Sequence, residues 1–254
     1  MLSGRCEQTI GNNPGEIEAI TAAARSFLKS ELEVSSLQLP SLEFQLAAAA
    51  SCYSQAARLQ EEAGRPQLAA GLHTELAEAM TRMRRPLEAL PHHQRAAALS
   101  ADTDIVMFIS AKLSVAACHI ASADYHNALL TLTEVANFVA EHDPLHLFDD
   151  VQEDVEILRV LLLLIIEPST HNTDPHLLSV LEKYRVLDDS FEAEARVSPH
   201  ISVEVSILLQ SLVLSCDSLD TSSVLYIEDE LVPLLTDQQR SLLRVVVTQT
   251  LRKV

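Results

Sequence analysis

The chain has 254 residues, of which 36 are acidic and 18 are Lys or Arg, giving a formal net charge of −18. Hydrophobic residues make up 48% and aromatic residues only 4%, with five glycines and no tryptophan. This apolar fraction is too high for a disordered acidic tail, and so few glycines and aromatics argue against a β-sandwich or a glycine-looped nucleotide fold. The negative charge argues against nucleic acid or an anionic membrane surface as the main partner.

The amino-terminal part of the chain is predicted to be helical throughout, because its apolar residues recur at helical spacing between breakers. The predicted helices span 16–31, 42–63, 67–83, 87–100, 104–122 and 125–141. Two Arg-Pro breaks, at 65–66 and 85–86, stand 20 residues apart. This distance is the length of one helix plus a tight turn.

The segment after residue 122 resembles the second helix of a tetratricopeptide-type repeat. Ala117 and Ala128 are small residues where helices would cross closely, and Tyr125 and Phe138 are large residues that would fill the gap. Ala89 and Ala128 occupy like positions 39 residues apart, whereas a standard unit repeats every ~34 residues. We therefore predict irregular repeats of antiparallel helices, with a non-repeating helical bundle as the alternative.

The carboxy-terminal part is predicted to hold helices at 149–166, 174–187, 201–216, 221–234 and 237–252. Local sequence supports two of their starts. Asp174 is a typical N-cap with Pro175 at the first helical position, and Thr236 with Gln239 matches a capping box.

These patterns predict an all-α fold of about ten antiparallel helices, a tetratricopeptide-like helical-hairpin solenoid or bundle without a sheet. We divide it into an amino-terminal half, 1–142, and a carboxy-terminal half, 149–254, joined by a short linker, 143–148. Both halves are expected to pack as one continuous domain.

The cysteine pattern argues against a disulfide, redox or zinc framework. The four cysteines are Cys6, Cys52, Cys118 and Cys216. No two form a CxxC pair, so we predict buried free thiols in a reducing compartment, the cytoplasm or nucleus. The amino terminus lacks the apolar stretch of a signal peptide. The most apolar run, 158–166, is shorter than the ~20 residues of a bilayer span, so no membrane insertion is expected.

Motifs for chemistry are missing from the sequence. It contains no phosphate-binding, zinc-protease or serine-hydrolase signature. His142 and His146 are four residues apart, but Pro144 between them breaks the helix, and His92 and His93 point about 100° apart on a helix. We predict no enzyme activity, no catalytic residue, no cofactor and no metal site. A helical enzyme with a loop-borne site is the alternative, which a deep pocket of convergent histidines and carboxylates would support.

The distribution of charge is more informative. From Asp188 to Asp237 the chain carries 11 acidic residues and a single basic residue, Arg196. Six of these acids lie on or beside very apolar predicted helices: Glu204, Asp217, Asp220, Glu228, Asp229 and Glu230. An apolar ridge bordered by acids is typical of a docking surface for a basic partner, and an ordinary solvated face is the alternative.

Five stretches resemble the family of the 40-kDa huntingtin-associated protein, also called the factor VIII intron-encoded protein family. They are RCEQTIGNNPGEIEAITAAARSFLKSE (Arg5–Glu31), DVEILRVLLLLIIEP (Asp154–Pro168), LEKY (Leu181–Tyr184), LLQSLV (Leu208–Val213) and PLLTDQQRSLLRVVVTQT (Pro233–Thr250). The order and spacing of these stretches agree with the family across nearly the whole chain.

The resemblance implies a tetratricopeptide-like scaffold that forms a heterodimer with huntingtin, gripped between its HEAT-repeat regions and its bridge. It also implies a link to early-endosome motility through the small GTPase Rab5. In the family the acidic carboxy-terminal third faces a basic part of huntingtin, which favours Glu204, Asp217 and Asp220 among the six acids. A generic tetratricopeptide-type adaptor for another protein is the alternative.

Two departures from the family pattern are expected. The sequence begins partway through the family's first helical pair, so the basic segment that precedes that pair lies outside it, either because this version is short or because the numbering leaves those residues out. Only HDPLHL (His142–Leu147) stands in place of the family's long Pro-rich linker. Functions of those segments are not carried over to this chain.

Overall fold

The structure is a computed structural model that describes residues 13–37, 43–143, 145–167, 175–185 and 200–253. These residues form eleven α-helices and no strand. The helices are α1 (Asn13–Ser36), α2 (Glu43–Glu62), α3 (Pro66–Arg82), α4 (Pro86–Ser100), α5 (Ile105–Ala121), α6 (Tyr125–His142), α7 (Asp149–Ile166), α8 (Pro175–Arg185), α9 (Val203–Ser218), α10 (Thr221–Leu231) and α11 (Asp237–Lys253). The predicted all-α class is confirmed.

The helices group into two compact units, Met1–Ala123 and Asp124–Val254. The first unit contains α1 to α5, and the second contains α6 to α11. The predicted halves, 1–142 and 149–254, packed as one continuous domain, stay a prediction.

In the first unit each helix packs on the next, from α1 through α5. The helices meet through alanines without any exposed surface, such as Ala24, Ala49, Ala56 and Ala77. Because an alanine side chain is a single methyl group, the backbones approach closely and a large side chain such as Tyr53, also fully buried, fills the remaining space. The alanine excess of the sequence is therefore used at helix crossings.

The predicted Arg-Pro breaks are tight turns between successive helices of this unit. Gly64 and Arg84 adopt left-handed backbone conformations, with φ of 71° and 59°. Pro66 and Pro86 then open α3 and α4 at the first helical position, where the missing N–H costs nothing. Each turn reverses the chain and places the next helix antiparallel to the last.

The second unit is organised around α7, which packs against α6, α8, α9 and α11. Ten of its residues are buried, and Leu161, Leu162 and Leu163 are fully so. The apolar run at 158–166 thus lies in a buried helix. Within the described ranges, each helix is too short or too polar to span a bilayer.

Local capping fixes several helix starts in the second unit. Thr236 and Gln239 form the predicted capping box, in which the Thr236 N–H donates to Gln239 Oε1 (2.8 Å) and the Gln239 N–H donates to Thr236 Oγ1 (3.4 Å). Gln239 Nε2 also donates to Asp154 Oδ1 (2.9 Å), which ties α11 to α7. Pro175 opens α8 as predicted, whereas Asp174 lies outside the described residues.

The described cysteines carry free thiols. Cys52 and Cys118 are buried, as predicted, and burial raises the pKa of both thiols. Cys216 is half-buried, with its pKa raised by the same cause. Cys6 lies outside the described residues.

Candidate protein-binding surface

Helices α9 and α10 form a hairpin in the second unit and carry five of the six predicted binding residues, and the sixth, Asp220, lies in the turn between them. Ser202 caps α9 by accepting from the Val205 N–H (3.3 Å). Leu219 turns the chain with a left-handed φ of 56°, and α10 begins directly after Asp220. Val205, Leu209 and Leu212 face the core, so the opposite faces of the hairpin remain in solvent.

Large apolar side chains occupy these exposed faces. Val203 and Ile207, one turn apart on α9, are 73% and 57% exposed. Leu225 and Tyr226 on α10 are 45% and 66% exposed. Exposed apolar side chains are ordinary when they are scattered singly. Val203 and Ile207 instead lie on the same side of α9 beside Glu204, an arrangement that is typical of a protein-binding surface.

Four of the six predicted acids lie on the same two helices as these apolar side chains. Glu204 lies in the first turn of α9 beside Val203, and Glu228, Asp229 and Glu230 lie in the last half of α10. All but the half-buried Glu228 are exposed. Across the described part of the chain, no cation lies within salt-bridge distance of any of the four. Together with the four exposed apolar residues they define the α9–α10 face.

The other two predicted acids have partners within the chain. Asp217 receives two hydrogen bonds from Arg185 of α8, at 2.8 and 3.0 Å, and this pairing raises the pKa of the guanidinium. Asp220 is the N-cap of α10: it accepts from the Ser223 hydroxyl (2.6 Å), the Ser222 hydroxyl (2.7 Å) and the Ser223 N–H (3.2 Å). These hydrogen bonds lower the pKa of Asp220 to about 2. Both acids therefore hold helices in place.

Sequence reasoning named the acids and predicted an apolar ridge beside them, but it did not identify which apolar residues are exposed. The signal was present, because α9 is apolar nearly all round (VEVSILLQSLVLSC) and a helix of that kind must cover more than one face. In the structure only one side of α9 meets the core of its unit. Val203 and Ile207 lie on the side of α9 that the core leaves uncovered, so they are the residues that we expect a partner to cover.

The histidines for which the sequence predicted no metal site lie in three different environments. His142 lies against Phe138 of its own helix, at a ring-centroid distance of 4.2 Å. His92 and His93 belong to the packed region of the first unit. His146 lies near Asp149 and His200, and these three residues are a group that could hold a metal ion.

The fold defines a class of protein: a scaffold built of antiparallel helical hairpins. Comparison with known proteins supports this fold. The model of the soluble NSF attachment protein (SNAP) family, a tetratricopeptide-like helical fold, matches residues 36–147. The predicted tetratricopeptide-like architecture is confirmed.

Two curated relatives carry the same name, 40-kDa huntingtin-associated protein, and come from Rattus norvegicus and Mus musculus. Each is 30% identical to this chain over 302 aligned positions, which cover 97% of this chain and 79% of the relative. The chain belongs to the 40-kDa huntingtin-associated protein family. The expectation that it is not an enzyme stays a prediction.

Proposed function

We propose that this chain is a non-enzymatic adaptor that forms a heterodimer with huntingtin through the α9–α10 face. Membership of a family whose named relatives are huntingtin-associated carries this proposal. The exposed apolar side chains of α9 and α10, together with carboxylates that have no cation partner among the described residues, support the choice of surface.

The two chemical parts of the face do different work in such a complex. Burial of Ile207 and Tyr226 against the partner contributes affinity, because aromatic and aliphatic side chains in the dry centre of an interface dominate binding energy. The bordering carboxylates select a basic patch and speed association, since complementary charges steer encounter. A permanent interface of this kind buries more than ~2,000 Å², so the face is one part of it.

The finer proposal concerns the arrangement and the cellular role. We propose that the chain is gripped between the amino- and carboxy-terminal HEAT-repeat regions of huntingtin and its bridge. We also propose that it works in the cytoplasm, reaches the nucleus and early endosomes through partners, and takes part in endosome motility through Rab5. The resemblance of the sequence to its family supports these statements. Binding of GTP-loaded Rab5, measured with and without huntingtin, tests the last of them.

The first experiment is co-expression of the chain with full-length huntingtin, followed by size-exclusion chromatography in low and high salt. We expect a stoichiometric complex that survives high salt, because apolar burial is not screened by ions. Dissociation in high salt contradicts the apolar part of the proposal, since only surface charges are screened over the Debye length.

A charge-reversal variant then tests the face itself. We expect Glu204→Lys, Asp229→Lys and Glu230→Lys together to weaken the complex at least tenfold and to reduce its dependence on salt. The control reverses three exposed acids elsewhere, Glu18, Glu78 and Glu141, and changes the net charge equally. Asp217 and Asp220 are left unchanged because they hold α8 and α10. Equal affinities of the two variants would remove the electrostatic part of the proposal.

A generic adaptor for another protein is the second candidate, and the match to the SNAP family model favours it over an enzyme. It predicts a folded chain that forms no complex with huntingtin at either salt concentration. The chromatography experiment therefore separates the two candidates.

A further inference from the structure

Three metal-ligating side chains converge in the second unit from three different segments. His146 lies in the loop after α6, Asp149 is the first residue of α7, and His200 comes shortly before α9. One ligand atom of each lies within 4.8 Å of the other two. His200 Nδ1 is 2.7 Å from Asp149 Oδ1, and His146 Nδ1 is 3.3 Å from the same oxygen.

The backbone around these side chains is held by other contacts. Asp143 accepts from the N–H groups of Leu147 (2.9 Å) and Phe148 (2.7 Å), which fixes the loop that carries His146. Glu153 Oε1 accepts from the Ser202 N–H (3.1 Å), which ties the segment after His200 to α7. The three ligands are thus brought together by protein contacts alone.

The distances suit a tetrahedral ion. Zinc binds imidazole nitrogen and carboxylate oxygen at ~2.0–2.1 Å, which places neighbouring ligand atoms about 3.3 Å apart. The separation between His146 Nδ1 and Asp149 Oδ1 already has this value. The separation between His200 Nδ1 and Asp149 Oδ1 must lengthen by about 0.6 Å, which a rotation of the carboxylate provides.

The chemistry of the three ligand atoms and the exposure of their side chains indicate which ion fits the group. Two imidazoles with one carboxylate favour zinc and related transition metals over Mg²⁺ and Ca²⁺, which prefer oxygen ligands. The side chains of His146 and Asp149 are 66% and 44% exposed, so an ion and a water ligand reach them freely. His200 is 15% exposed and anchors the buried side of the group.

We propose that His146, Asp149 and His200 bind one divalent transition-metal ion, with zinc the best fit and water completing the coordination. The bound ion fastens the loop after α6 and the start of α9 to the first turn of α7. It therefore steadies the start of the helix that carries Val203, Glu204 and Ile207.

The test is calorimetric titration of the full chain with Zn²⁺ alone in metal-free buffer, and with Mg²⁺ alone as the comparison. We expect one Zn²⁺ per chain and no measurable Mg²⁺ binding. His146→Ala, Asp149→Asn and His200→Ala should each weaken Zn²⁺ binding at least tenfold. His126→Ala, which removes an exposed histidine of α6, should leave the affinity unchanged.

Absorption of bound Co²⁺ provides the second readout, because nitrogen and oxygen ligation lacks the intense thiolate band that a cysteine ligand would give. His146 is exposed, so its replacement leaves the fold intact, which circular dichroism checks. Wild-type Zn²⁺ affinity in the folded His146→Ala variant, a thiolate band, or no Zn²⁺ binding at millimolar concentration overturns the proposal.

Discussion

Two glycines of the first unit show how backbone conformation alone decides whether a side chain at a position stabilises or destabilises the fold. Gly64 has φ of +71° in the turn before α3, whereas Gly71 lies within α3. A Cβ added at either position meets no atom within 4 Å, so packing does not distinguish them. Only the backbone conformation does.

We expect Gly64→Ala to lower the free energy of unfolding by about 1 kcal/mol, because an L side chain is strained in the left-handed region. Gly71→Ala should raise it by about 0.5–1 kcal/mol, since alanine favours a helix interior over glycine. Urea denaturation followed by circular dichroism measures both. A change of the same sign in the two variants would contradict the backbone explanation.

Ile207 tests the separation of binding from folding. Its side chain is exposed, so Ile207→Ser should change the free energy of unfolding by less than about 0.5 kcal/mol. Loss of its contact with huntingtin should weaken the complex tenfold or more. Leu87→Ser, at a similarly exposed leucine of α4, is the matched control for both measurements. An unchanged complex with Ile207→Ser would place Ile207 outside the interface.

Single residues could be predicted from the sequence where their partners are close along the chain. The capping box of Thr236 and Gln239 is such a case, because both members lie within one helical turn. The role of Asp217 could not be predicted in this way, since Arg185 lies 32 residues away. The group of His146, Asp149 and His200 could not be predicted from the sequence for the same reason, because His200 is 51 residues from Asp149.

At the scale of helices, one polar cluster joins three elements of the first unit. Arg25 of α1 donates two hydrogen bonds to Glu75 of α3, at 2.9 and 2.8 Å, and Tyr53 of α2 donates a third at 2.7 Å. The bonds from Arg25 lower the pKa of Glu75. Because the folded pKa is below the unfolded value, this stabilisation is present above the unfolded pKa and is lost as pH falls through the folded one.

We expect Tyr53→Phe to lower the free energy of unfolding by about 1 kcal/mol. The Tyr53 ring stays buried in the variant, so only the hydrogen bond to Glu75 is lost, and water replaces part of it because Glu75 is half-exposed. Tyr125→Phe in α6 is the control and should change stability by less than about 0.5 kcal/mol. Urea denaturation at pH 7 compares them. Equal changes in the unfolding free energy of the two variants would show that the hydrogen bond from the Tyr53 hydroxyl to Glu75 does not stabilise the fold.

Helices were predicted well because periodicity and breakers are local signals. The end of α10 was one exception: the helix predicted over 221–234 ends at Leu231, and a short 3-10 turn spans Val232–Leu234. Pro233 explains the difference, because proline lacks the N–H that a continuing helix needs. The helix predicted over 16–31 is longer in the structure, Asn13–Ser36. Pro14 lies in its first turn, where the missing N–H costs nothing, and residues 32–36 contain no glycine or proline that would end it.

At the scale of the whole molecule, acidic residues dominate the net charge. The stability of the first unit between about pH 4 and pH 7 nevertheless depends on a group of buried histidines. In the first unit His73 Nδ1 lies 3.1 Å from His92 Nδ1, with the rings stacked at 5.4 Å. Burial and the neighbouring His92 lower the pKa of His73 to about 4, and burial lowers the pKa values of His92 and His93. Glu61 opposes this shift of His73, and Arg95 adds to it.

These shifts predict that acid destabilises the first unit well before its carboxylates are protonated. Between about pH 6.5 and pH 4 the unfolded chain binds a proton at His73 that the folded unit excludes, so stability rises with pH through this window. At pH 5 the loss from His73 is about 2 kcal/mol relative to pH 7. His73→Gln stays neutral and should reduce that loss, whereas His126→Gln, at an exposed position, should not. Hydrogen exchange of the first unit at pH 7 and pH 5 measures the difference, and an equal loss in both variants would contradict the assignment to His73.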